Sequence, residues 1–314
     1  MKAIHDKGSA APPDSAAALR LAALARDASL EVTPALVLGG RVPAGLLPAG
    51  TRVYVPYLPS ADYGDTVAAC RQLAAAGMQA VPHLPARAVR SAAELEDWLG
   101  ALSAAGSSQL LLIAGDRATA AGPYASTLDI LTSGLLLEHG FRRIGVAGHP
   151  EGHPSVADAE LDWALKFKRD YAMATDSDVW IVTQFVFSST RTIDWLRRVR
   201  ETVNPLPIRI GLPGPAKLRT LLAYAAQCGV SASARVLRNR PDAARLLGRW
   251  TPDGLARDFA QSGADTGRPL FSGFHMFPFG GVTATADWLD SLRGEPGSDA
   301  LPDGEQVNNG SGLT

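Results

Sequence analysis

The chain has 314 residues and a formal net charge of -1, with 46% hydrophobic and 19% charged residues. This balance gives no electrostatic attraction for nucleic acid or for an anionic membrane surface, so we expect neither as a partner. Apolar runs stay short of the ~20 residues of a membrane span, and the first 15 residues lack a signal-peptide core. Cys70 and Cys228 lie in helix-like apolar contexts, which favour buried thiols over a disulfide or metal pair. Together these features predict a cytoplasmic globular protein.

The two ends of the chain differ in composition from the middle. Residues 1–14 are small and polar, and residues 294–314 are rich in Gly, Ser, Pro, Asp and Asn. Segments of this kind cannot bury enough apolar area to offset the entropy of ordering, so we expect both to be flexible. The chain length permits two domains, but a single α/β barrel also reaches this size. We therefore expect one domain over residues 15–293.

Eight short apolar runs recur along the chain, and each is followed by a longer amphipathic stretch. This alternation is typical of βα units around a parallel sheet. The β-branched character of the runs fits strands that are covered on both faces. The runs span residues 29–32, 52–57, 80–84, 110–115, 144–148, 179–187, 208–212 and 270–276.

Helical periodicity predicts an outer ring of helices between these strands. A capping box from Ser91 to Glu94 begins one helix, and Gly140 is a natural C-terminal cap for another. The ring is predicted over residues 62–76, 91–105, 128–139, 156–172, 192–202, 216–227, 241–247 and 283–292, with additional helices at 14–25 and 252–263. Eight strands with intervening helices predict a single-domain (β/α)8 TIM barrel that carries an extra N-terminal helix.

Active sites of such barrels form at the C-terminal ends of the strands, so polar residues at those ends are the candidates. Several strand ends carry one, which favours a shared site. They are Glu31, His83, Asp116, the trio His149, Glu151 and His153, and Gln184.

Glu31 interrupts the first strand and is the sharpest candidate. It is either a rim carboxylate paired with Arg or Lys, or a carboxyl of raised pKa in a semi-apolar cleft, suited to proton donation. Asp116 follows Gly115, which lets a ligand approach the backbone. Asp116 is otherwise a cap for the loop that follows. Both readings stay open for each residue.

A metal site is not expected. His149 and His153 lie in a segment rich in Pro and Gly, and no cysteine or third ligand completes a set. His83 alone is more typical of a satisfied barrel histidine than of a ligand. The chain also lacks GxGxxG after a strand, a GxxxxGK[ST] phosphate loop and a GxSxG elbow.

A series of segments resembles the methylenetetrahydrofolate reductase family, in the order and spacing of that family over residues 29–280. The segments are SLEVTP (29–34), HL (83–84), AGD (114–116), VAGHPEGHP (146–154), LKFK (165–168), IVTQFVF (181–187), GLP (211–213) and GFHMF (273–277). The combination of VAGxPExHP, LKxK and TQF is more specific than any single segment. The family fold is a (β/α)8 barrel, in agreement with the strand count.

The resemblance implies reduction of 5,10-methylenetetrahydrofolate to 5-methyltetrahydrofolate by NAD(P)H, with NADH favoured and usually through FAD. Glu31 matches the acid that protonates N10, and Asp116 matches a carboxylate near the flavin and the pterin. Gln184 matches a folate contact, and Tyr224 matches an aromatic residue that stacks in the folate and nicotinamide site. The flavin-lining positions are Tyr57, His83, Gly115, Asp116, Tyr124, Ala125, His149, His153 and Lys168.

Departures from the family pattern fall on charged ligand contacts. Ala114 replaces an Arg before the Gly-Asp pair, and Ala164 and Phe167 replace an Asn and an Arg that contact the flavin. Gly281 and Thr220 stand where folate contacts are expected, and residues 171–178 resemble an insertion. Each missing charge-assisted contact normally contributes about 1.5–3 kcal/mol. The expectation is therefore FAD held differently or absent, with hydride passing directly from NADH.

Two further functions remain open. The lost flavin contacts fit a related folate-binding protein with a methyl-transfer or demethylation role. The other is a non-catalytic barrel that acts as a subunit of a larger complex. The acid in the first strand argues mildly against this function. The sequence leaves monomer and homo-oligomer equally open.

Overall fold

The structure, a computed structural model, describes residues 13–59, 62–230, 249–262 and 269–293. The flexible termini expected at 1–14 and 294–314, apart from residues 13 and 14, and the helix expected at 241–247 lie outside the described residues. Among the helices that are described, none combines the length and apolar character needed to cross a membrane.

Eight parallel strands close into a barrel in the order β1-β10-β7-β6-β5-β4-β3-β2. They are β1 (Ser29–Glu31), β2 (Arg52–Val55), β3 (Gln79–Pro85), β4 (Gln109–Ile113), β5 (Arg143–Gly148), β6 (Asp178–Phe185), β7 (Ile208–Pro213) and β10 (Gly273–Phe277). Two short antiparallel strands, β8 (Ala216–Lys217) and β9 (Arg249–Trp250), pair outside the barrel. The predicted (β/α)8 fold is confirmed.

Helices surround the barrel and cover its apolar strands. They are α1 (Pro13–Arg26), α2 (Pro34–Leu38), α3 (Tyr63–Ala75), α4 (Ala92–Ala104), α5 (Thr127–Thr132), α6 (Leu135–Glu138), α7 (Asp158–Thr175), α8 (Ser189–Val203), α9 (Leu218–Gln227), α10 (Asp253–Gln261) and α11 (Val282–Arg293). The extra N-terminal helix is α1, which packs on α10 and α11.

Several predicted boundaries were wrong. The single helix expected over 128–139 is two helices, because Gly134 has φ 82° and interrupts them. Residues 216 and 217 form β8 before α9 begins, and strand β10 begins at Gly273 rather than at residue 270. The insertion-like residues 171–178 are the last turn of α7, a left-handed cap at Asp176 and the start of β6. The capping box at Ser91 is half formed, since Glu94 accepts from the backbone N–H of Arg90 instead of Ser91.

Large apolar side chains fill the barrel interior. Tyr54, Val81, Leu111, Trp180 and Val182 form this inner cluster, separate from the core between strands and helices. Alternate residues of a strand share one face, so the next inward position toward the mouth on β3 is His83. On β6 the register shifts between Val182 and Phe185, and the polar residues Thr183 and Gln184 lie in this irregularity. Apolar side chains therefore fill the middle of the barrel interior, and polar side chains lie toward the C-terminal ends of the strands.

The N-terminal end of the barrel is closed by an ion pair. Asp27 binds Arg209 at 2.5 Å and Arg52 at 2.8 Å. Arg209 also donates to the backbone oxygen of Asp27 at 2.9 Å. The side chain of Arg209 is almost fully buried, so this pair fixes the start of β1 against β7 and β2.

Candidate active site

The centre of the site is a carboxylate between two imidazoles. Glu31 is the last residue of β1, and its Oε1 lies 3.4 Å from Nε2 of His83 and 3.6 Å from Nε2 of His275. His83 comes from β3 and His275 from β10, so three strands build the centre. Neither Nε2 has a fully formed hydrogen bond among the described residues.

A buried hydroxyl orients the second imidazole. Ser29 lies two residues before Glu31 on the same face of β1, and its Oγ is 3.0 Å from Nδ1 of His275. A carboxylate only accepts hydrogen bonds, so the tautomer that serves both neighbours carries its hydrogen on Nε2. Ser29 then donates to Nδ1. The three side chains form a line from Ser29 through His275 to Glu31.

The ionisation of Glu31 differs from the sequence expectation. Burial raises the pKa of the carboxyl, as expected, but the contacts and charges of His275 and His83 outweigh this effect and hold the pKa at about 2. Burial lowers the pKa of His275, and the charge of Glu31 opposes this. The expectation of a raised pKa at Glu31 was wrong, because the sequence does not reveal that two imidazoles from distant strands face it.

Glu31 is the most exposed member of this centre. The side chain of Glu31 is 18% exposed, compared with 9% for His83 and 0% for His275. A ligand that enters from the mouth therefore meets the carboxylate, and the imidazoles stand behind it. This arrangement suits proton transfer through Glu31 with the histidines as its internal partners.

Asp116 lies on an exposed part of the loop that follows β4. Gly115 before it has φ 86°, a conformation that favours glycine, and a Cβ there would lie 3.2 Å from Cβ of Pro85. Backbone geometry therefore requires this glycine, irrespective of any ligand. Arg87 holds the loop, because its Nε donates to the backbone oxygen of Ala125 at 2.8 Å and its N–H to that of Ala114 at 2.9 Å.

The charges of Asp116 and Glu31, the two carboxylates that the sequence predicts to be catalytic, both act on Cys228. Its pKa is raised to about 11, mainly by burial and further by the negative charges of Asp116 and Glu31. The thiol at the end of α9 is therefore within electrostatic range of both. Both cysteines are free, as expected, but Cys228 is only partly buried and belongs to the surroundings of the site.

Gln184 is half-buried near the end of β6. Its Oε1 accepts from the backbone N–H of Phe185 at 3.1 Å, which fixes the amide orientation. The nitrogen of the amide is then the end free to donate to a ligand. The structure thus holds Gln184 in a form suited to hydrogen bonding at the mouth.

Tyr224 is part of an aromatic wall that continues to the catalytic centre. Its ring stacks on Phe279 at 4.1 Å, and Phe279 stacks on Phe277 at 5.8 Å. Phe277 in turn lies 4.9 Å from the ring of His275. Tyr224 is 39% exposed and presents the outer surface of this wall. A flat heteroaromatic ligand would stack on such a surface.

His149 and Lys168 line a separate small cavity. Residues of β5, α7 and α8 enclose it, and its volume is about 40 Å³. Burial lowers the pKa of Lys168 to about 8. Burial also lowers the pKa of His149 to about 4, with smaller contributions from His153 and Lys168. The His149 ring lies 5.2 Å from that of His153.

The remaining predicted flavin positions have structural partners. Tyr124 is buried, and Ala125 accepts from Arg87 as described above. Tyr57 lies 6.4 Å from the ring of Tyr63. His83, which the resemblance places beside the flavin, is in contact with Glu31.

Two of the predicted flavin positions, His149 and Lys168, line a cavity that is too small for a flavin. The cavity at Lys168 has room for a few water molecules, whereas small-molecule pockets typically measure roughly 300–1,000 Å³. Ala164 lines the cavity without a polar side chain, and Phe167 packs against Trp163. An ion pair between Arg198 and Asp162 lies in the cavity wall. Apolar side chains therefore stand at residues 164 and 167, where the resemblance implies an Asn and an Arg.

Sequence reasoning missed several residues of this region. His275 stands within the quoted GFHMF segment, and its position after an apolar strand start was a usable signal. No sequence signal pointed to Ser29, Arg87 or Phe279, because their roles depend on partners that are distant in sequence. No group of three or more His, Cys, Asp or Glu side chains able to hold a metal ion occurs within the described part of the chain.

The chain is a closed parallel (β/α)8 barrel with a carboxylate–imidazole centre at its mouth. The sequence model of the family described as methylenetetrahydrofolate reductase matches residues 60–236, more than half of the chain. The chain belongs to this family, and it is therefore a folate-related one-carbon enzyme of the oxidoreductase class. Glu31 and His275 lie outside the matched range.

Two solved structures with distant similarity share the barrel fold. A dihydropteroate synthase from Thermus thermophilus has a TM-score of 0.43 at 12% identity, with 84% of this chain and 91% of that chain covered. A phosphoenolpyruvate phosphomutase from Streptomyces platensis subsp. rosaceus has a TM-score of 0.39 at 16% identity, with 62% and 72% covered. Similarities this weak support no statement about function.

Proposed function

We propose that this protein reduces 5,10-methylenetetrahydrofolate to 5-methyltetrahydrofolate, with NADH as the favoured hydride donor. The observation that carries the proposal is the mouth-facing carboxylate of Glu31, which two buried imidazoles support, in a member of this family. The reaction needs one proton and one hydride. The centre supplies a path for the proton, and the aromatic wall at Tyr224 supplies a surface for a flat ring.

The first step opens the five-membered ring of the substrate. A proton passes to N10, the bond between N10 and the methylene carbon breaks, and the electron pair of N5 forms a cationic iminium. Glu31 rests as the carboxylate, so it takes up one proton from solvent as the substrate binds and then delivers that proton to N10. His275 behind it shares the proton and is backed by Ser29, so the three groups act as one unit. Exclusion of water by the bound substrate raises the pKa of Glu31 from its resting value, which favours this uptake of a proton.

The second step transfers hydride. The hydride leaves C4 of the nicotinamide and adds to the iminium carbon, which gives the 5-methyl group and NAD⁺. We propose that Asp116 stabilises the cation, because its carboxylate is exposed on the loop after β4. Gln184 donates from its amide to the pterin, and Tyr224 stacks on the substrate or nicotinamide ring.

We also propose that hydride passes directly, without a flavin. The support is the small cavity at Lys168 together with Ala164 and Phe167 at positions where the family has polar flavin contacts. The test uses NADH labelled with deuterium at the transferred position of C4. Direct transfer retains the label in the product methyl group, whereas a flavin relay exchanges it with solvent.

The decisive assay is NADH oxidation dependent on methylenetetrahydrofolate, with and without added FAD. Glu31→Gln should reduce kcat by about 10²–10⁴-fold, the usual share of general acid catalysis. Glu96→Gln, on the exposed side of α4, is the matched control and should leave kcat unchanged. Inactivity of the wild-type chain under both conditions would contradict the proposal and favour a methyl-transfer or demethylation role.

A further inference from the structure

Two aromatic side chains inside the barrel lie directly beneath the acid centre. Tyr54 on β2 has no exposed surface, and Nε1 of Trp180 on β6 donates to its hydroxyl at 2.9 Å. The Tyr54 ring lies 4.4 Å from the ring of His275 at 60° and 6.4 Å from that of His83 at 83°. One tyrosine thus contacts both imidazoles that face Glu31.

The position of this pair is fixed from several sides. Tyr54 is the register partner of Glu31 between β1 and β2, so the two residues are direct neighbours across the sheet. The indole of Trp180 occupies space that Gly145 leaves open, since a Cβ there would lie 3.0 Å from its ring and 2.9 Å from Leu111. Rings packed this closely have little freedom to rotate.

We propose that Tyr54 and Trp180 are positioning residues that hold His275 and His83 against Glu31 and keep water from beneath them. The assignment of the catalytic step rests on the proposed reduction, but the placement of the imidazoles does not. His275 has no exposed surface, and its ring touches Tyr54 on one side and Phe277 on the other. Removal of the Tyr54 ring would leave a void beside a buried imidazole whose Nε2 is not fully satisfied.

A void beside His275 would change the pKa of its imidazole, which depends on the charged and polar groups that surround it. Glu31 and Ser29 face it from β1, His83 from β3, and Arg52 and Tyr54 from β2. Burial holds the pKa of His275 below its ordinary value. Water admitted beneath the ring would reduce this effect, so the pKa should move back toward that of an exposed histidine.

The test compares three variants of the full chain. Tyr54→Leu removes the ring, Tyr54→Phe keeps the ring and removes the acceptor of the Trp180 hydrogen bond, and Trp180→Phe removes the donor. Trp195→Phe is the matched control, because Trp195 is equally buried at 5% exposure but lies on α8 outside the barrel. Tyr54→Phe serves as the decisive variant if Tyr54→Leu does not fold.

The first readout is the NMR titration of the His275 imidazole in the ligand-free protein, which needs no reaction. We expect its midpoint to rise in Tyr54→Leu and its ring resonances to shift in Tyr54→Phe and Trp180→Phe, with no change in Trp195→Phe. The second readout is kinetic: kcat should fall about 10–100-fold in Tyr54→Leu with KM nearly unchanged, as for a misplaced catalytic group.

Each outcome decides between positioning and simple packing. An unchanged His275 midpoint in folded Tyr54→Leu would overturn the inference, as would unchanged His275 ring resonances in Tyr54→Phe if Tyr54→Leu does not fold. Equal changes in Trp195→Phe would also overturn it, since they would show a general loss of packing. If wild type reduces no methylenetetrahydrofolate but the titration shifts as expected, the proposed function fails and the positioning role stands.

Discussion

Oε1 of Glu31 lies 3.6 Å from Nε2 of His275, and Nδ1 of the same imidazole lies 3.0 Å from Oγ of Ser29. Strands β1 and β10 are hydrogen-bonded neighbours in the closed barrel, so residues at the two ends of the sequence meet at one point. The carboxylate is stabilised in its charged form by this contact. Its protonation is consequently coupled to folding.

Acid stability should depend on Glu31. Its pKa in the folded protein is about 2, compared with 4.5 for the ordinary group. The stabilisation is therefore complete above pH 4.5 and is lost as the pH falls to about 2, with a magnitude on the order of 3 kcal/mol. Urea unfolding between pH 2 and 6 should show a smaller acid-side slope for Glu31→Gln than for wild type. Glu96→Gln should retain the wild-type slope, and equal slopes for all three proteins would contradict the coupling.

Burial of the Lys168 ammonium should lower the free energy of unfolding. Burial lowers its pKa from 10.5 to about 8, so the unfolded chain binds more protons between these values and stability rises with pH there. The penalty at pH 7 is about 3 kcal/mol. Lys168→Met should therefore raise the melting temperature at pH 7, and its advantage should shrink as the pH approaches 10.5.

A neighbour on the same helix provides the control for that measurement. Lys166 is exposed and pairs with Asp170 at 2.9 Å. Lys166→Met should change the stability by less than about 1 kcal/mol, because surface ion pairs contribute little. A destabilised Lys168→Met protein would show that the ammonium has a partner that offsets its burial.

The fold was readable from the sequence because its signal is local and repeated. Eight apolar runs alternate with amphipathic stretches, and each run became a barrel strand with bounds shifted by at most a few residues. Breaks such as that at Gly134 were missed, since an apolar pattern continues across a glycine whose backbone turns.

The site was readable only in part, because its chemistry depends on contacts between distant residues. Glu31 was found as a polar interruption in a strand. Its pKa was predicted in the wrong direction, since His83 and His275 approach it only after the barrel closes. Tyr54 and Trp180 looked like ordinary strand residues for the same reason.

The loop that carries Asp116 should be sensitive to a single methyl group at Gly122. A Cβ at Gly122 would lie 2.2 Å from the backbone oxygen of Arg90, which cannot move away as a flexible side chain would. Gly122→Ala should destabilise the protein by about 1–3 kcal/mol and displace the loop. We expect a raised KM for the folate, measured in the NADH oxidation assay.

Gly100 provides the opposite case for the same substitution. It lies on the exposed side within α4, and a Cβ there meets no atom within 4 Å. Gly100→Ala should stabilise the protein by about 1 kcal/mol, the difference in helix propensity. A Gly122→Ala protein that is as stable as wild type would mean that the loop does not need its close approach to Arg90.

Removal of Asp27 should weaken the closed end of the barrel. Arg209 is 6% exposed and Asp27 is 55% exposed, so Asp27→Ala leaves a nearly buried guanidinium without its carboxylate. We expect a loss of about 2 kcal/mol, below the roughly 3–5 kcal/mol of a fully buried pair because Asp27 contacts solvent. Adding Arg209→Met should recover part of this loss, since it removes the unpaired charge. Asp170→Ala, at an exposed pair, should cost less than about 1 kcal/mol. If the double variant is no more stable than Asp27→Ala alone, the cost arises from lost packing at the start of β1 rather than from the buried charge.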